Sequence, residues 1–149
     1  MSAANVERRV AATKADLADA IAERLREVIA DAVASRGVAH VVLTGGSMGE
    51  ASARALAPLD DIDWAHVHLW WGDERFLPTG DAERNETQAR VVLIDVVGVP
   101  AANVHAMAAS DGPDGDDLDA AVARYRDELA TVAPQFDIVM LGMGPDTHV

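Results

Sequence analysis

Ala39-His40-Val41-Val42-Leu43-Thr44-Gly45-Gly46-Ser47 decides the architecture of this chain. A short, largely β-branched run stops at a glycine turn, and a helical stretch, Glu50 to Leu56, follows it. Together they make one β-loop-α unit. The same grammar recurs at Val67-His68-Leu69-Trp70-Trp71, which ends in Gly72-Asp73-Glu74-Arg75. It recurs again at Phe136 to Leu141, which runs into Gly142-Met143-Gly144-Pro145-Asp146-Thr147-His148. Ahead of the first unit, Leu17, Ile21, Leu25, Val28, Ile29 and Val33 repeat at helical spacing. A Thr13/Asp16 capping pair and the stop at Gly37 bound that pattern, so it predicts a helix from Thr13 to Arg36. Further helices are expected over Asn85 to Val97, with Asn85 as cap, and over Asp116 to Thr131. The second carries Leu118, Val122, Tyr125 and Leu129 on one face. A short edge strand is expected at Val6 to Val10, and an extended piece at Asn103 to Met107. Strands alternating with helices predict an α/β class: a mainly parallel sheet with helices on both faces, in a single domain over 1–149.

Composition removes whole classes of function. The chain has 149 residues with 25 acidic and 12 basic side chains, a formal net charge of −13. Such a balance does not suit nucleic acid or an anionic membrane. The absence of cysteine excludes disulfide scaffolds, thiolate metal sites and cysteine nucleophiles. Lys14 is the only lysine and sits in a helix-start pattern, so Schiff-base chemistry is set aside. No uninterrupted apolar run approaches a membrane span, and the first residues show no signal-peptide core, so a cytoplasmic location is expected.

The loops that end the strands carry the chemistry. In open α/β sheets ligands bind beyond the carboxyl ends of parallel strands, which gathers these loops on one edge. Gly45 and Gly46 allow backbone N–H groups to approach an anion at a helix start, and Ser47 adds a hydroxyl. A lone Gly-Gly-Ser is more often an ordinary β–α turn. Asp73-Glu74-Arg75 places charges at the end of an apolar strand, where they must be paired or used. Arg75 has the planar fork that suits a phosphate, Asp73 could orient a partner, and a solvated loop with a local ion pair remains open. His148 lies on the same edge and supplies an imidazole, the side-chain type suited to taking a proton from water at physiological pH. His66 and His68 share a strand face, but no third ligand follows at metal-site spacing. Trp64, Trp70 and Trp71 read as core anchors, and His40 and His105 carry no pattern.

Taken together these segments resemble the 6-phosphogluconolactonase family. The ordered set is Leu43 to Ser47, then Trp70-Trp71-Gly72-Asp73-Glu74-Arg75-Phe76-Leu77-Pro78, Asn85, Val99-Pro100, Asn103-Val104-His105, Tyr125, and Phe136-Asp137 leading into Leu141 to His148. The Gly-Gly-Ser turn is shared with related sugar-phosphate isomerases and deaminases. The resemblance implies a Rossmann-like fold that hydrolyses 6-phospho-D-glucono-1,5-lactone to 6-phosphogluconate in the pentose phosphate pathway, with no metal or organic cofactor. It implies catalytic roles for His148, as general base, and for Asp73. Gly45, Gly46, Ser47 and Arg75 would hold the phosphate. The partner is then a small sugar-phosphate lactone.

The chain departs from the family pattern at four places. Met48-Gly49 stands where a proline usually follows the turn, Arg84 where a serine precedes the asparagine, and Thr147 where the family has glycine. The pattern also continues past His148 with further strands and helices, so the resemblance implies that 1–149 is the N-terminal portion of the family fold. The alternatives are a related isomerase or deaminase, or an inactive fragment.

Overall fold

The computed structural model describes residues 5–149. Helix α1, Lys14–Arg36, begins where Thr13 Oγ1 accepts the Asp16 N–H at 3.1 Å and ends at Gly37. Gly37 takes φ 77°, a left-handed conformation open to glycine, and its N–H reaches the Val33 carbonyl at 2.8 Å. Strand β1, Ala39–Leu43, is buried along its whole length. Helix α2, Gly46–Leu56, starts directly at the glycine turn, four residues earlier than expected. A 3₁₀ turn, Trp64–His66, feeds β2, Val67–Trp71. Helix α3 spans 85–97: Asn85–Ala89, a π-helical segment Arg90–Ile94, and a last turn Asp95–Val97. Helix α4 is Leu118–Val132, capped by Asp117, and β3 is Ile138–Val139.

The strands lie in the order β2-β1-β3 and are all parallel, with His40 beside His68 and Val42 beside both Trp70 and Val139. The chain thus crosses from one side of β1 to the other between β2 and β3. That reversal puts the loops after β1 and β3 at the place where open α/β sheets bind ligands. Alternation along the strands divides the sheet faces. Val41, Leu43, Leu69 and Trp71 join Leu25 and Ile29 of α1, Leu56 of α2 and Leu93 of α3 in the main core. His40, Val42, His68 and Trp70 lie on the other face, where Tyr125 of α4 meets Trp70 edge-on at 6.3 Å. The expected α/β arrangement is therefore what the chain adopts.

Several local expectations are corrected. Residues 6–10 form no strand: Val6 and Val10 are 87% and 79% exposed, with no sheet edge beside them to complete a ladder. Of the extended piece expected at 103–107, Asn103 ends a 3₁₀ turn, Ala101–Asn103, and the pairing with β2 is confined to a parallel bridge from Val104 to Leu69 and the His105 N–H donated to the Leu69 carbonyl at 2.9 Å. The last strand holds only Ile138–Val139 of the expected Phe136 to Leu141. On α4 Ala121 is buried and Tyr125 and Leu129 of the expected face are half-buried, whereas Leu118 and Val122 are exposed; Glu128 beside them reaches His105. Asn85 does not cap α3. Arg84 occupies the cap position without a side-chain bond, and the Glu74 carboxylate accepts the first N–H groups instead. Among the described residues no helix is long and apolar enough to cross a membrane.

Candidate active site

Beyond Leu43 the backbone turns through Thr44 and Gly45 into α2, with Gly46 at φ 78°. Two glycines here are demanded by close approach. A Cβ on Gly45 would fall 1.9 Å from Asn85 Oδ1, and one on Gly49 would fall 2.2 Å from the Thr44 carbonyl oxygen. Gly49 accounts for the Met48-Gly49 departure: it lets the first turn of α2 sit directly on the end of β1.

Asn85 is the joint of the site. Its Nδ2 donates to the Asp73 carbonyl at 3.1 Å and to Asp73 Oδ1 at 3.3 Å, while its side-chain oxygen lies against Gly45. One amide therefore hydrogen-bonds the loop after β2 while packing against the loop after β1. Asp73 is exposed at this junction. The neighbouring Glu74 is the paired member of the charged triplet. Its carboxylate accepts N–H groups from Arg75 at 2.8 Å, Asn85 at 2.7 Å and Glu86 at 2.9 Å.

Arg75 is exposed and makes no ion pair among the described residues. It lines a cavity of about 280 Å³ with Phe76, Met107, Val122 and Tyr125. Burial pushes the Tyr125 phenol above its ordinary range, which keeps a neutral hydroxyl in that apolar wall. Ser47 lines a different hollow, between α1 and α2, with Lys14, Asp19, Glu50 and Arg54. Arg75 and Ser47 thus face separate hollows.

The third loop follows β3. Gly142 lies beside Thr44, close enough that an added Cβ would stand 3.7 Å from Thr44 Oγ1, so the loops after β1 and β3 meet as expected. The loop then closes on itself: the Gly144 N–H donates to the His148 carbonyl at 2.8 Å, and the His148 N–H to Asp146 Oδ1 at 3.2 Å. Thr147, which stands where the family has glycine, takes φ 67°, a left-handed conformation that strains a β-branched residue. The His148 side chain is exposed, and among the described residues no hydrogen bond joins it to Asp73. His66 pairs with Asp63 and His68 with His105; no group of three or more described His, Cys, Asp or Glu residues is arranged to hold a metal ion.

Two groups of residues escape sequence reasoning. Asn85 reads locally as a cap, and nothing near it in the chain announces a bond to Asp73. His40, His68 and His105 lie far apart in sequence and meet only through strand register and the Leu69–Val104 bridge.

Residues 12–149 match the family described as glucosamine-6-phosphate isomerases/6-phosphogluconolactonase. The chain belongs to this family. Among curated relatives, 6-phosphogluconolactonase of Streptomyces coelicolor is 55% identical over 144 residues, covering 89% of this chain and 55% of that protein. The 6-phosphogluconolactonase of Mycobacterium tuberculosis is 49% identical over 140 residues, covering 89% of this chain and 57% of its own length. The structure of the Thermotoga maritima 6-phosphogluconolactonase superposes with a TM-score of 0.78 at 28% identity, over 88% of this chain and 57% of that one. A 6-phosphogluconolactonase from Shewanella baltica gives a TM-score of 0.79 at 26% identity, over 91% and 56% of the two chains. The family's fold is therefore common ground, and this chain spans about half the length of the relatives it matches.

Proposed function

We propose that the protein hydrolyses 6-phospho-D-glucono-1,5-lactone to 6-phosphogluconate, a step of the pentose phosphate pathway, in the cytoplasm. The observation that carries this reading is the Asn85 clasp. It joins the glycine turn after β1 to the loop bearing Asp73 and Arg75, at the ligand-binding edge of a family fold. The similarity to proteins named 6-phosphogluconolactonase supports the choice of substrate.

In this proposal the imidazole of His148 takes a proton from water as the water oxygen attacks the lactone carbonyl carbon. The tetrahedral intermediate collapses with cleavage of the bond to the ring oxygen, which leaves as the sugar hydroxyl and receives that proton from His148. Proton transfer of this kind contributes roughly 10²–10⁴-fold. Asp73 orients groups in the site, and the phosphate is held by the amides of the Gly45-Gly46-Ser47 turn and by Arg75, whose exposed side chain must swing from the hollow it lines toward the turn. An acidic protein that binds an anion needs such a local cation, and Arg75 is available for it. This chain spans about half the length of these relatives, and Val139 of β3 and the following Leu141 are exposed.

The related isomerase or deaminase activity is the competing chemistry. Supplying the phosphorylated lactone and glucosamine 6-phosphate in parallel tests the choice. Lactone loss above the uncatalysed rate, with no ammonia from the amino sugar, is expected. Deamination outrunning lactone hydrolysis would reverse the assignment.

A further inference from the structure

Arg84 stands where the family pattern has serine, and the structure buries it almost completely. Its side chain is 1% exposed, and the carboxylates of Glu74 and Glu86 beside it are 3% and 15% exposed. Three desolvated charges are expensive unless their hydrogen bonds are largely met and their geometry serves something. Arg84 Nη1 donates to the carbonyls of Arg75 at 3.1 Å and Leu77 at 3.4 Å. Nη2 donates to the Met107 carbonyl at 2.9 Å and to Glu86 Oε2 at 2.9 Å, with Glu74 Oε2 at 3.8 Å. Only Nε is buried without a partner. Seen from the loop, Glu74 is held by backbone N–H groups on both sides of the gap, and the carbonyl of Arg75 is held by the guanidinium.

We infer that Arg84 is a positioning residue for Arg75. The buried Arg84 guanidinium, paired with Glu74 and Glu86, fixes the backbone at Arg75 and just beyond it and so fixes where that exposed cation can meet a phosphoryl oxygen. The planar fork explains the residue choice. It reaches carbonyls on the 75–77 loop and on the 107 segment at once, which a lysine ammonium on one flexible stem cannot do with the same geometry. The inference rests on the proposed role of Arg75 as the phosphate contact, and its test separates the two.

The experiment compares Arg84→Lys, Arg75→Ala and the double variant for binding of 6-phosphogluconate and of unphosphorylated gluconate by the 149-residue chain, alongside amide hydrogen exchange. For Arg84→Lys, affinity for the phosphorylated ligand should fall about tenfold, affinity for gluconate should not change, and the loss should vanish in the Arg75→Ala background. Exchange should quicken at Leu77, whose N–H bonds the Arg75 carbonyl at 2.9 Å, and at Ser110, whose N–H bonds the Leu77 carbonyl at 3.0 Å, while α1 stays unchanged. Additive losses, or wild-type affinity and exchange in Arg84→Lys, would overturn the inference. If Arg75→Ala alone leaves 6-phosphogluconate binding unchanged, the phosphate assignment fails, and exchange at Leu77 and Ser110 decides positioning by itself. Should Arg84→Lys not fold, Glu86→Gln keeps the guanidinium but removes its charged partner, and the same comparisons apply.

Discussion

His68 Nδ1 lies 2.8 Å from His105 Nε2, and His105 Nδ1 lies 2.6 Å from Glu128 Oε1. This hydrogen-bonded run crosses from β2 to α4 beneath Trp70, whose ring stacks on His105 at 3.8 Å. The Glu128 carboxylate can only accept, so His105 Nδ1 donates to it, and the His68–His105 contact needs one proton between its two nitrogens. The Trp70 indole N–H donates to His40 Nδ1 at 3.0 Å in the same cluster. This hydrogen-bonded set of imidazoles latches α4 to the sheet.

Acid should loosen that latch. Burial lowers the pKa of both His40 and His68 from the ordinary 6.5, and the neighbouring imidazoles lower them further. The groups facing them are His105, Glu128 of α4, Asp137 ahead of β3 and Arg36 of α1; for His40, Asp137 acts in the opposite direction. A folded-state pKa below the unfolded value favours the neutral form, so the stabilisation is complete above about pH 6.5 and is lost as pH falls through the lowered values. Thermal melts between about pH 8 and pH 5 should show a falling Tm, and His68→Gln should flatten that slope. A Tm that stays level or rises toward pH 5 would contradict this reading.

Gly45→Ala should damage both fold and site. The new methyl would occupy the place of Asn85 Oδ1, 1.9 Å from the ideal Cβ position, so Asn85 must swing away and release Asp73. Overpacking of this kind costs roughly 1–3 kcal/mol. Urea unfolding should shift accordingly, and Asn85→Gly in the same background should recover part of the stability without restoring activity.

The outer side of β3 should govern association. Val139 is 49% exposed and Leu141 72%, next to a strand whose second edge has no neighbour among the described residues. Unpaired N–H and C=O groups beside apolar side chains invite edge pairing. Size-exclusion chromatography of the 149-residue chain should show species larger than a monomer, and Leu141→Lys should reduce them. A monodisperse monomer for the unaltered chain would remove the premise.

The sequence made the strand ends legible because β-branched runs halt at glycine or at charge, a signal that survives without tertiary information. Val67 to Trp71 and Ala39 to Leu43 were read at their observed limits for that reason. The π-helical segment at Arg90–Ile94 was not legible, since its residues read as ordinary helix formers. The inward face of α4 was legible only in part: Tyr125 and Leu129 are half-buried as the apolar spacing indicates, whereas Leu118 and Val122 are exposed, and the Glu128 contact to His105 left no trace in the spacing. Thr147, which stands where the family has glycine, does take a left-handed backbone, a strained conformation for a β-branched residue. Long-range polar joints such as Asn85 to Asp73 leave no periodic trace, and only the fold brings them together.

The decisive measurement is the rate of 6-phospho-D-glucono-1,5-lactone hydrolysis by the unaltered chain and by His148→Ala, read against the uncatalysed reaction across pH. His148 is exposed and its recorded hydrogen bonds use only its backbone, so the substitution should leave the fold and its melt intact. Turnover should fall by roughly 10²–10⁴-fold, and the ascending limb of the pH profile assigned to imidazole deprotonation should disappear. Unchanged kcat and an unchanged profile in His148→Ala, or no hydrolysis above background by the unaltered chain, would contradict a histidine-driven lactonase site at this edge of the sheet.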